Sequence, residues 1–166
     1  LKHLVAFFVL NILVFGLLIF LSSIALSSGI LLPANYAEWA IEQVKEEIAI
    51  VQEFDEALIP YTCEYVLIGN NNQILQSNVS EKKALQIVEA ANQRHTFSMK
   101  QYQMIERETE VCIIAYDIMM HFSNPFLHKV CPKPELLSFF VFLMIAMFVA
   151  MMFARRLKKE LKPILV

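Results

Sequence analysis

Two uninterrupted apolar runs bracket a segment in which hydrophobic and polar residues alternate, first on a helical period and then on a strand period. Residues 4–32 contain no ionisable side chain, and residues 136–154 form a second uncharged run rich in Phe, Met, Leu and Val. At a rise of about 1.5 Å per residue, either run crosses about 30 Å of hydrocarbon as a helix. Both read as transmembrane helices. The competing reading of the first run is a cleaved signal peptide, since Lys2 precedes it and Ala25, Ser27, Ser28 and Gly29 close it. Its core is longer than the roughly 7–15 apolar residues of such a peptide. The chain opens on Leu1, as an excerpt of a longer protein would.

Between the runs, residues 36–58 carry Ile41, Val44, Ile48 and Val51 at spacings of three and four, one apolar stripe of a helix with Asn35 placed to cap it and Pro60 to end it. Glu38, Glu42, Glu46, Glu53 and Glu56 follow a second stripe on that predicted helix. Residues 63–68 (CEYVLI) then read as a strand, 69–72 (GNNN) as a turn and 73–77 (QILQS) as a returning strand. Ser80 caps a helix running to Asn92, with Ala84, Leu85, Ile87, Val88 and Ala91 as its buried side. Residues 102–106 and 110–118 read as two more strands turning about 107–109. The pattern predicts an α+β fold, an antiparallel sheet of four or more strands with helices on one face, set between two transmembrane α-helices. With no repeats, low-complexity tracts or Gly/Ser linkers, the domain is expected to be wired directly into both spans. The predicted organisation is a first span and exit at 4–32, a domain at 33–135, a second span at 136–154 and a signalling helix starting at 155–166.

Charge orients this arrangement. The whole chain, 57% hydrophobic over 166 residues, has a net charge of only −2, but residues 33–135 hold eight Lys or Arg against fifteen Asp or Glu. Directly after the second run come Arg155, Arg156, Lys158, Lys159 and Lys162, with Glu160 among them. The positive-inside rule places both termini in the cytoplasm and the acidic domain outside, in the cell membrane. An acidic outer domain attracts cations and disfavours nucleic acid. The three cysteines, Cys63, Cys112 and Cys131, all fall in this segment, where a disulfide is permitted but not required and the pairing stays open.

The candidate chemistry is sparse. Three glycines and the absence of a phosphate-binding loop, a nucleophile elbow or a His-Glu-x-x-His motif leave no catalytic residue to name, and no cofactor is expected. His121, His128 and Cys131 match no compact metal-ligand spacing and read as surface or packing residues. Tyr65, Tyr102 and Tyr116, in strands, read as core. Trp39, the single tryptophan, reads with Tyr36 as an anchor at the outer lipid interface.

The order of a helix, the sequence EYVLIGNNNQILQSN, a helix and a terminal hairpin resembles the PAS-like extracytoplasmic sensor domains of bacterial receptors, over residues 35–118. The segment ARRLKKELKPILV at 154–166 resembles the start of a HAMP linker, with Lys162, Pro163 and Ile164 in its proline-aliphatic pattern. Together these resemble the input region of a sensor histidine kinase. Residues 122–137, FSNPFLHKVCPKPELL, with the acidity of the domain, resemble the sensor kinases with which Gram-positive bacteria detect lantibiotics and other cationic antimicrobial peptides. The stripe Ile41, Val44, Ile48 and Val51 is narrow enough to serve a coiled-coil-like dimer contact as well as a core contact, and a homodimer in the lipid bilayer is expected. The resemblance implies a missing kinase region beyond Val166 that serves a cytoplasmic response regulator. It implies a relay through Arg155, Arg156, Lys162 and Pro163. It brings no residue-level ligand motif; the stripe Glu38, Glu42, Glu46, Glu53 and Glu56 reads from its charge either as the solvated face of an amphipathic helix or as a surface that attracts a cationic ligand. Asp117, at the end of a predicted strand, is a ligand contact in such domains or a water-exposed acid. The alternative is a transport-complex subunit whose outer domain binds a partner protein.

Overall fold

The structure is a computed structural model that describes residues 2–71, 73–93 and 100–161. Helix α1 (Lys2–Ser27) is apolar on every side, and its polar Asn11 donates to its own turn, Nδ2 to the Phe7 carbonyl at 2.8 Å. It ends at Ser28 and Gly29, where Gly29 takes the left-handed φ of 74°. Strand β1 (Leu31–Leu32) follows, and α2 (Tyr36–Ile50) begins only after Pro33 and Asn35. The chain therefore does not run as one helix out of the first apolar run, in keeping with a helix that starts after Asn35.

After α2, residues Glu56–Leu58 make one 3-10 turn capped by the Asp55 carboxylate, which accepts from the Ala57 amide at 2.9 Å. Strands β2 (Glu64–Gly69) and β3 (Ile74–Ser77) form the first hairpin, α3 (Glu81–Asn92) follows, and β4 (Lys100–Glu106) and β5 (Glu110–Asp117) form the second. Strand β6 (His121–Phe122), helix α4 (Pro125–Val130) and helix α5 (Pro134–Leu161) complete the order. The fold is α+β. One sheet is antiparallel in the order β3-β2-β5-β4, and β1 pairs with β6 in a second, two-stranded sheet. Asn35 and Ser80 stand at the helix N-caps as expected, without a side-chain capping bond.

The four-stranded sheet is covered on both faces, where helices on one face were expected. Tyr65, Leu67, Cys112, Ile114 and Tyr116 point to one side and pack with Ala37, Ile41 and Ile48 of α2. Val66, Ile68, Ile113 and Ala115 point to the other and pack with Ala84, Ile87 and Ala91 of α3. The central strands carry continuous apolar runs, YVLI and VCIIAY, instead of alternating ones, and such strands need cover on both sides. Leu85, expected on the buried side of α3, is 58% exposed because it lies about 100° around the helix from Ala84, outside the arc shared by Ala84, Ile87 and Ala91. The predicted apolar stripe of α2 serves this core, with Ile41 and Ile48 fully buried and Val44 packed beside them.

Two compact units result: α1, α4 and α5 belong to one, and α2, α3 and the four-stranded sheet to the other. In the first, α1 and α5 meet through edge-to-face rings, Phe7 with Phe153 and Phe15 with Phe142, each pair at 5.7 Å. Their outer surfaces are Leu, Ile, Phe and Met exposed along the whole length. Val5–Ser27 and Pro134–Lys159 are each long and apolar enough to cross a membrane. An apolar surface of that extent is not stable against water, and the chain is a membrane protein.

Candidate functional site

The ligand-facing acids predicted from sequence do not form one stripe. Glu38, Glu42 and Glu46 lie exposed on α2, but the helix ends at Ile50, so Glu53 falls in the following loop and Glu56 in the 3-10 turn. A residue from the far hairpin meets the helix where it ends. Arg107, in the β4–β5 turn, donates to the carbonyls of Ile48, Val51 (2.9 Å) and Gln52 (3.3 Å), and its Nε meets Glu110 at 3.2 Å. Its guanidinium also lies 5.6 Å from the centre of the Phe54 ring, which in turn packs on Tyr65 at 5.0 Å. A cation held against the carbonyl end of a helix satisfies both its unpaired acceptors and its dipole.

Glu42 reaches across to the sheet edge. Its carboxylate accepts from Lys45 at 2.7 Å and from Gln103 of β4 at 2.9 Å, and these hydrogen bonds, Lys45 first, hold its pKa below the ordinary 4.5. Beside it, between α2 and the edge strand β4, runs a groove of about 260 Å³ lined by Lys45, Glu46, Ala49, Gln103, Met104, Ile105 and Glu106. Its chemistry is mixed: carboxylates at Glu46 and Glu106, the Lys45 ammonium paired with the adjoining Glu42, and a half-exposed Met104. Gln103, Met104 and Glu106 were not distinguished in the sequence, since nothing in a strand's own pattern marks it as an edge.

Glu56 belongs elsewhere. It accepts from the Tyr65 hydroxyl at 2.9 Å, and Gln76 donates to that same hydroxyl at 2.9 Å. Burial, reinforced by the Glu56 charge, pushes the Tyr65 phenol up to about 12. Glu56 therefore has a structural partner inside the domain. Asp117 closes β5 opposite Lys100 in the register. Glu64 of β2 links two other elements, accepting from Lys83 of α3 and Lys100 of β4 at 2.6 Å each. Burial alone would raise its pKa, but the hydrogen bonds from Lys100 and Lys83 outweigh it and lower it.

The cysteines are free thiols. Cys112 pairs in register with Leu67, four residues from Cys63, or about 13 Å along the strand and beyond the reach of a disulfide. Burial pushes Cys63 up to about 11 and Cys112 up to about 12, so both are protonated, unreactive core residues at neutral pH.

Of the predicted relay residues, Arg155 and Arg156 lie exposed on α5, which continues unbroken from the apolar stretch through the basic cluster. Lys162 and Pro163 lie outside the described residues.

These features describe a membrane protein in which two apolar helices bracket an α+β domain. Over 155 residues it is 28% identical to the sensor histidine kinase SpaK of Bacillus subtilis, a match that covers 89% of this chain and 34% of the relative. The chain thus spans about a third of that protein's length. The unmatched remainder of this chain is shorter than either apolar helix, so the likeness reaches into both. No protein-family model matches the chain, and no solved structure matches it.

Proposed function

We propose that the chain is the input region of a membrane sensor histidine kinase. The single observation that carries this is the likeness to a protein of that kind across the domain and into both apolar helices. In this reading the α+β domain is a PAS-like sensor outside the cell, supported by its antiparallel sheet with α2 and α3 packed on it and by its excess of carboxylates. The cations that end α5 face the cytoplasm, as the positive-inside rule requires. The protein works as a homodimer, and α5 carries the signal to a HAMP-like segment that includes Lys162 and Pro163, then to a kinase region serving a response regulator. A ligand shifts that equilibrium only by its differential affinity for the two signalling states. Ile41 and Ile48 are buried in the core of the domain, so the proposed dimer would not use that stripe.

The ligand in this proposal is a cationic peptide, and the groove between α2 and β4 receives it. Glu42, Glu46 and Glu106 supply attraction and Met104 an apolar contact. Exposed charges act over about 10 Å at 0.1 M salt, so association must weaken as salt rises. The test uses the full-length protein in nanodiscs with a synthetic Lys-rich amphipathic peptide. The combined variant E42Q/E46Q/E106Q is expected to slow association by roughly 3- to 10-fold at low salt, with the difference fading at high salt. Salt-independent affinity with full binding by the variant would overturn the electrostatic reading.

A further inference from the structure

Helix α4 is six residues long and its start is firmly fixed. Pro125 occupies the first turn, and the Asn124 side chain accepts from the Phe126 amide at 2.9 Å and the Leu127 amide at 3.3 Å. What this short helix presents is unusual for a surface in water. Phe126 is 71% exposed, Leu127 42% and Val130 69%, and at about 100° per residue the three share an arc of about 100°. His128 and Lys129 take the rest of the circumference, and none of the helix is buried.

Its two flanks fix where it sits within its own unit. On the carboxyl side only Cys131, Pro132 and Lys133 separate it from Pro134, where the apolar stretch of α5 begins. On the amino side, Ser123 donates to the Ile30 carbonyl from its amide at 3.0 Å and its hydroxyl at 3.1 Å. Ile30 stands just past the end of α1 and is itself exposed. Thus α4 is tied both to the outlet of one apolar helix and to the inlet of the other.

We propose that α4 is an interfacial helix, lying in the boundary between lipid headgroups and acyl chains with Phe126, Leu127 and Val130 turned toward the hydrocarbon and Lys129 toward the phosphates. The bilayer is the occupant because the exposed apolar arc is continuous in the chain with a span. A short helix with one apolar face and a cation on the other settles about 5–10 Å into that boundary. Lys129 reaches the headgroups by extending its apolar stem along the surface. The proposal rests on reading α5 as a span.

The full chain is reconstituted in phosphatidylcholine–phosphatidylglycerol vesicles, with Trp39→Phe removing the single native tryptophan. Phe126→Trp, Val130→Trp and, as a reporter inside α5, Met147→Trp are then introduced one at a time. Emission at positions 126 and 130 is expected to be blue-shifted and roughly halved by lipid brominated near the headgroup end of its acyl chains, with little effect of bromine near the terminal methyl. Emission at position 147 should respond most to the deep bromine. If position 147 behaves so but positions 126 and 130 are quenched only by aqueous acrylamide, α4 is not in the lipid and the proposal fails. Shielding of both from acrylamide and from bromine also overturns it, in favour of a protein cover. If position 147 is not quenched by lipid, the span reading itself fails.

Discussion

Arg107 sits at the tip of a hairpin, where a charged side chain ordinarily extends into water, yet its side chain is only 5% exposed. It gathers the carbonyls of Ile48, Val51 and Gln52, the Glu110 carboxylate and the Phe54 ring around one guanidinium. Only the planar, five-donor fork of arginine serves several acceptors from one point. Arg107→Met keeps the length and apolar stem but strands those acceptors, and it should destabilise the domain by about 2–3 kcal/mol. In a thermal melt of the detergent-solubilised chain that corresponds to a fall of roughly 10 °C. Arg107→Lys should recover less than half of the loss. A melt unchanged by Arg107→Met would show that the α2 end needs no cation.

At the scale of elements, α5 has the feature a relay requires: one helix, Pro134–Leu161, joins the apolar stretch to Arg155, Arg156, Lys158 and Lys159 without a break. Inserting one alanine after Phe153 turns every later residue by about 100°, whereas inserting seven returns them to within about 20° of their original phase. If, as proposed, the chain belongs to a sensor kinase and α5 transmits rotation or tilt, the single insertion should change basal phosphorylation by the full-length protein in membranes, and the insertion of seven should largely restore it. Equal output from both would make the helix a passive tether. The α2 helix shows the opposite behaviour, since it stops where its sequence permits it to continue. Extended as a helix, it would place Phe54 about 220° around from Ile41, off the buried face. Ending at Ile50 allows Phe54 to pack against the core beside Tyr65.

For the molecule as a whole, the dependence of stability on pH has an identifiable source in the α+β unit. Glu64 joins β2 to α3 through Lys83 and to β4 through Lys100, and its folded pKa is depressed below the ordinary 4.5. A carboxylate whose pKa is lowered by folding stabilises the native state above its unfolded pKa, and that contribution disappears as the pH falls through the lower folded value. Glu64→Gln should therefore cost about 1 kcal/mol at neutral pH and almost nothing well below pH 4. Melts recorded from pH 7 to pH 3 would show the two proteins converging under acid. A constant difference at every pH would assign the loss to packing instead of charge.

Local energetics made part of this fold legible from the chain alone. The apolar runs need only lipid as a partner, so their length sufficed to mark the two long helices. Strand and turn chemistry at 63–77 and 102–118 likewise marked the two hairpins, the first helped by residues such as Gly69 and Asn70 that favour turns wherever they occur. Only tertiary structure decided the rest. It brought Arg107 to the end of α2, 56 positions away from Val51 in the chain, and it put α2 and α3 on opposite faces of the sheet. It left β4 at an edge, which is what places Glu106 and Met104 beside Glu46, and it moved Glu53 and Glu56 out of the predicted stripe. Each of these depends on contacts between residues far apart in sequence, and periodicity along a single segment carries no information about which distant side chain will complete it.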